Sequence, residues 1–165
     1  MTIEPELNSL IKSVYCNIFI KNICTDQYLK DRIILSSHNT DVNDINITIL
    51  NSFPRNQKIY LSLDKIVFEN NNNFNNLYPS EFLNSLKPAG MPPSSLTLKI
   101  GCPIILLRNL APYQDLCNSS RLIVTRLNDY VIEAHILTED HAGNLTFIPR
   151  ISLMTSTSEL LFKLK

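Results

Sequence analysis

The stretches LTLKIGCPIILLRN (96–109), RLIVTRL (121–127), YVIEAHIL (130–137) and NLTFIPRISL (144–153) are rich in β-branched residues and separated by turn formers. No helical period survives from Leu96 onward, so these segments predict four strands. Strands this close together in sequence predict a small antiparallel β-barrel. Gly143 and Asn144, in the run DHAGN, suit the hairpin between the last two strands. Pro103 and Pro149 lack an N–H and are expected at a bulge or a sheet edge.

Upstream, ENNNNFNNL (69–77) holds six Asn and no periodicity, which reads as a linker. Before it the pattern changes to an α/β alternation. Leu7, Leu10, Ile11 and Val14 stand at helical spacing after Pro5, predicting an amphipathic helix over 2–14. Residues 15–24 read as a packed loop or a short strand. Thr25 suits the N-cap of a short helix through Asp31, and Arg32 to Leu35 reads as a buried strand. Val42, Ile45, Ile49 and Phe53 form one apolar stripe, predicting a helix over 41–52 that Pro54 closes. Ile59, Leu61 and Leu63 alternate with polar neighbours, so a second strand follows, as in the crossover unit of a parallel sheet. Beyond the linker, Phe82, Leu83 and Leu86 mark a short helix that Pro88, Gly90, Pro92 and Pro93 stop. The expected fold is α/β plus a small β-barrel, with units at 1–68 and 78–155.

The 165 residues carry 15 basic and 15 acidic side chains, and residues 1–76 hold seven of the basic and eight of the acidic ones. Neither half is a polycation, so any nucleic-acid contact must be local. Glycine occurs only at 90, 101 and 143, which leaves no phosphate loop of the G-x-x-x-x-G-K-[ST] type and no G-x-G-x-x-G turn. No G-x-S-x-G elbow is present. Cys16, Cys24, Cys102 and Cys117 match neither a redox pair nor a zinc ribbon and read as buried free thiols. His135 and His141 are the loosest of candidate metal-ligand pairs, and no metal site is expected. Asp41 with Asp44 and Glu139 with Asp140 read as solvated surface pairs. There is no apolar run of 18 residues and the N-terminus opens polar and acidic, so a membrane span and a secretory leader are not expected. One local bias remains: Lys99, Arg108, Arg121 and Arg126 stand against Asp115 within residues 97–126. These groups either solvate the strands or track phosphates, with Tyr113 in the intervening loop as a stacking surface.

The run KIGCPIILLRNLAPYQDLCNSSRLIVTRLNDYVIEAHIL, followed by FIPRISL, resembles a segment of the PIF-type (petite integration frequency) DNA helicases, with the Helitron-encoded form nearest. The family pattern is L-K-x-G-x-P-x-x-L-L-R-N-L-x-P, then L-C-N-G-T-R-L-I-V, then F-I-P-R-I. Lys99, Gly101, Pro103, Arg108, Asn109, Pro112, Cys117, Asn118, Arg121 and Pro149 to Ile151 match it. RIILSSHNTDVNDINITIL (32–50) resembles the family's R-A-I-L-x-P-x-N-x-x-V-x-x-I-N stretch, so the likeness covers about residues 25–165. Where the family has Asn-Gly-Thr, this chain has Asn118, Ser119 and Ser120, losing the residue that most easily takes a positive φ.

The resemblance implies a partial RecA-like second helicase lobe over 1–68 and an inserted barrel, the 2B domain, with a Src-homology-3-like fold. It implies a superfamily 1 enzyme moving 5′ to 3′ on single-stranded DNA with ATP and magnesium, and a nuclear location. The ATP-binding motifs are not in this sequence, so no cofactor is expected on this chain and activity would need the remaining helicase lobes. His38 and Asn39 are the expected phosphate contacts of the lobe; Lys99, Arg108, Asn109, Tyr113, Asn118 and Arg121 are those of the barrel. The other readings are a non-enzymatic DNA- or protein-binding module and an inert transposon remnant. For single residues the alternative is a packing role, with Asn109 and Asn118 tying turns together and Arg121 pairing with Asp115.

Overall fold

The structure is a computed structural model, and it describes residues 4–15, 25–63, 66–67, 79–86, 91–137, 141–154 and 163–164. The Asn-rich stretch and the segment 16–24 lie outside the described residues. The chain is a mixed α/β fold in which every strand pairing is antiparallel.

Helix α1 (Glu4–Val14) buries Ile11 but leaves Leu10 exposed, so its apolar stripe is narrower than the spacing predicts. Thr25 caps α2 (Asp26–Lys30) by accepting the Tyr28 N–H at 3.2 Å, and Tyr28 and Leu29 are buried. The predicted strand over 32–35 does not form. Among the described residues, 32–36 pair with no strand, and Ile33 and Leu35 stand exposed. Helix α3 (Asn39–Ser52) follows, with Ile45 and Phe53 buried and Val42 and Ile49 half-buried, which is the expected stripe.

Strand β1 (Gln57–Leu61) departs from the crossover expectation. It pairs antiparallel with β3 (Ser95–Lys99), in register Gln57 with Lys99 through Leu61 with Ser95. Its facing is also inverted. Lys58 and Tyr60 turn inward while Ile59 and Leu61 are exposed, because the Tyr60 ring packs on the core and its hydroxyl reaches the Asn128 carbonyl at 2.7 Å. Two short strands, β2 (Ile66–Val67) and β8 (Lys163–Leu164), pair with each other. Helix α4 (Ser80–Ser85) buries Leu83.

The stretch 96–109 is two strands rather than one. Gly101 breaks it at φ +85, a left-handed conformation that suits glycine. Pro103 then opens β4 (Pro103–Ile105), an edge strand of a four-stranded sheet ordered β4, β5 (Arg121–Leu127), β6 (Val131–Ile136), β7 (Leu145–Pro149). Pro149 ends β7 at the opposite edge, as its missing N–H requires. The β6–β7 connection closes on the Asn144 N–H to His141 carbonyl bond, with Gly143 at φ +88. A register shift between Val124 and Arg126 marks an irregularity in β5.

One buried cluster joins Tyr28, Leu29 and Phe53 to Leu98, Cys102, Ile123, Val124 and Leu137, so residues from both sides of the Asn-rich stretch share a core. A second cluster holds Leu106, Leu116, Leu122, Ala134 and Ile136 beneath the β4–β5 loop.

Candidate nucleic-acid interface

The loop from Leu106 to Ser120 is built as a closed unit. At its base Leu106 N–H donates to Ser120 O at 3.0 Å and Ser119 N–H to Leu106 O at 2.8 Å. Further out, Leu110 and Ala111 donate to Leu116 O, and a 3-10 turn, Pro112–Gln114, leads to Asp115 in the left-handed region at φ +58. Buried Leu106 and Leu116 anchor the loop on the second cluster, which leaves Leu107, Arg108, Asn109 and Tyr113 outside. Tyr113 is 81% exposed.

Polar groups hold this shape. Asn118 N–H donates to Asn109 Oδ1 at 2.7 Å, so both asparagines tie the loop together. Ser120 Oγ donates to Asp115 O and accepts from Cys117 N–H. Ser119 takes φ +74, at the position where the PIF-type pattern has glycine. Asp115 does not pair with Arg121. Its Oδ2 accepts from His141 N–H at 3.0 Å and lies 2.6 Å from His141 Nδ1, which must carry a proton to face a carboxylate. This pins the loop to the β6–β7 connection.

Two of the expected phosphate contacts are committed to the fold. The Lys99 ammonium is buried and donates to Phe53 O at 2.9 Å and Asn51 O at 3.4 Å, closing the C-terminal end of α3 where a cation also opposes the helix dipole. Arg121 reaches across to the other end of the sequence. Its guanidinium donates to Leu29 O at 2.6 Å, Lys30 O at 3.0 Å and Arg32 O at 3.2 Å, holding the C-terminus of α2 on β5. Beside it Arg32 stacks on the Tyr28 ring at 4.1 Å, and His135 Nε2 lies 2.8 Å from Asp26 Oδ2 without hydrogen-bond alignment. No spacing rule foretells the Arg121 contacts, since their partners lie about ninety residues apart.

Arg108 is exposed, and no hydrogen bond or ion pair engages its guanidinium among the described residues. His38 and Asn39 sit exposed at the N-terminus of α3, with His38 Nδ1 3.0 Å from Ser37 Oγ and 3.9 Å from Asp41 Oδ2. Among the described residues, no contact joins them to the β4–β5 loop. Cys102 is buried, and burial pushes its thiol above the ordinary value of 9.0; Cys117 is half-buried. Sequence reasoning passed over the exposed aromatic Tyr130, at the β5–β6 turn. Its signal was an aromatic at a hairpin tip, where turn chemistry asks for Asn, Asp or Gly.

The segment that carries α4, β3, β4, this loop and β5 is also the segment that comparison identifies. Residues 81–127 match the family model "DNA helicase Pif1, 2B domain".

Over residues 81–127 the chain is similar to the 2B domain of Pif1-type helicases.

The fold around the 2B segment is similar to solved Pif1 structures. One, described for DNA unwinding at forked double-stranded DNA by two coordinating Pif1 helicases, is 21% identical with a TM-score of 0.50, covering 97% of this chain and 34% of that one. A double mutant of Pif1 from Bacteroides is 20% identical with a TM-score of 0.50, covering 94% of this chain and 33% of that one. The chain thus spans about a third of these structures. No curated protein matches it.

Proposed function

We propose that this chain is part of an ATP-dependent DNA helicase that moves 5′ to 3′, and that its 2B segment guides the single strand. The observation that carries the reading is the match of residues 81–127 to the Pif1 2B domain, on the loop that leaves Arg108 and Tyr113 free. Arg108 would neutralise a phosphate and Tyr113 would stack on a base, the pairing by which single strands are held without sequence preference. Asn109 and Asn118 would keep the loop in shape, and Lys99 and Arg121 would hold the parts beneath it. His38 and Asn39 would meet the backbone from the N-terminus of α3, where free N–H groups favour an anion.

In this reading residues 1–68 are part of a RecA-like second lobe and residues 78–155 are a Src-homology-3-like 2B barrel, docked through the shared core. ATP and magnesium would be bound by other lobes, and the location would be nuclear. The test is binding of oligo-dT across a salt series. Wild type should bind with a salt-dependent affinity, and Arg108→Ala should flatten the slope by about one unit. A folded chain that binds no single strand at low salt would refute the reading.

A further inference from the structure

The opposite end of β5 carries a second feature, one that neither packing nor turn chemistry requires. The β5–β6 hairpin turns through Asn128, Asp129, Tyr130 and Val131, closed by the Asn128 N–H to Val131 O bond at 3.1 Å. Tyr130 is 81% exposed, and among the described residues nothing hydrogen-bonds its hydroxyl. An aromatic ring left in water forgoes the favourable burial of its apolar surface, and the fold supplies no such burial here.

The turn is nonetheless held firmly. Tyr60 OH donates to Asn128 O at 2.7 Å, and Lys58 Nζ donates to Asp129 Oδ1 at 2.6 Å and to Leu127 O at 3.4 Å, so β1 braces the tip from three points. Arg150 N–H donates to Tyr130 O at 3.3 Å, one step beyond the Val131 and Pro149 pair, which sets Arg150 directly across from Tyr130. The Arg150 guanidinium spends one donor on Leu61 O at 2.6 Å, and the residue is exposed. A guanidinium has five N–H donors, so most remain for a ligand.

The local charges favour an anion. Among the described residues, Asp129 is paired with Lys58 and Glu133 has Arg126 at 3.9 Å, while no acid pairs with Arg150. A braced aromatic ring with an unpaired guanidinium opposite it fits an unstacked nucleobase and its phosphate. We propose that Tyr130 and Arg150 form a second nucleic-acid contact, a stacking platform for one base of a single strand. The Tyr113 loop precedes β5 and the Tyr130 turn follows it, so the two features flank a seven-residue strand about 20 Å long.

This inference rests on the single-strand reading above, and the experiment separates the two. Oligo-dT of increasing length is titrated against wild type, Tyr130→Ala, Tyr130→Phe and Arg108→Ala, with ultraviolet cross-links mapped by mass spectrometry. Tyr130→Ala should bind about tenfold more weakly, Tyr130→Phe should bind like wild type, and a cross-link should fall on the peptide holding Tyr130. If Tyr130→Ala binds like wild type while Arg108→Ala weakens, the platform is overturned and the loop reading stands; the exposed ring would then serve a protein surface. If wild type binds no oligo-dT, both are overturned. Melting temperatures of the Tyr130 variants should match wild type, since the ring is outside the core.

Discussion

Replacing Arg121 by Ala separates a structural arginine from a DNA-binding one. In the structure a single guanidinium satisfies Leu29 O, Lys30 O and Arg32 O at the end of α2. That helix has five residues, too few to persist without tertiary support. Hydrogen bonds to a charged donor contribute roughly 1.5–3 kcal/mol each, but three bonds from one group are not additive and partly exposed carbonyls regain water. The expected loss is therefore about 2–4 kcal/mol, a large share of the 5–15 kcal/mol typical of a domain. Urea denaturation should show a lower midpoint. Hydrogen exchange should show faster turnover at the Leu29 and Asp31 amides, which bond to Thr25 O and Gln27 O when α2 is docked. The oligo-dT salt slope of the folded variant should equal that of wild type. A stability change below about 0.5 kcal/mol, with α2 exchange unaltered and the slope reduced by about one unit, would refute the reasoning and put the guanidinium on a phosphate.

Three further outcomes follow from the same geometry. Ser119→Gly should raise stability by about 0.5–1 kcal/mol, because Ser119 sits at φ +74 and a left-handed L residue costs more than the entropy glycine adds to the unfolded chain; a calorimetric melt that does not rise counts against it. Lys99→Met keeps the stem but strips the donors from Asn51 O and Phe53 O, and thermal denaturation should register a loss of about 1–3 kcal/mol. The Lys58 ammonium, through its hydrogen bond and then its charge, holds the Asp129 carboxyl below its ordinary 3.8. The Asp129 arm of the brace on the β5–β6 turn is then complete above that value and lost as pH falls through the lowered one. Asn128 amide exchange, corrected for intrinsic pH dependence, should accelerate in that acid range, and Asp129→Asn should abolish the effect.

Periodicity and turn chemistry located most of the elements. The α3 stripe, the Thr25 cap, the short helix after Pro79, the edge prolines and the antiparallel strands from 121 to 149 are legible because each depends on neighbours within a few residues. Gly101 split the run 96–109 into two strands, which a continuous apolar pattern hides. The strand read from the alternation Ile59 to Asp64 forms, but not with the parallel pairing and facing expected of it. Alternation shows that a strand has two faces but not which is buried, and Tyr60, braced against Asn128 O, outcompeted Ile59 and Leu61 for the inside. At the candidate interface the residue types were chosen well and their occupation was not visible: Lys99 and Arg121 are cations on a phosphate-binding pattern, and carbonyls have already taken them.

Apart from the strand read at 32–35 and the single strand read over 96–109, local order was thus determined by the sequence alone: where most helices and strands lie, that Ser119 stands where the PIF-type pattern puts glycine, and which residues have the chemistry to meet DNA. Only the tertiary structure decided which of those side chains are still free. A hydrogen-bond donor is available or spent according to what packs against it, and for Arg121 that partner comes from a segment about ninety residues earlier in the chain. Arg108 and Tyr113 remain outside because Leu106 and Leu116 anchor their loop from beneath, and Tyr130 remains outside because β1 braces its turn.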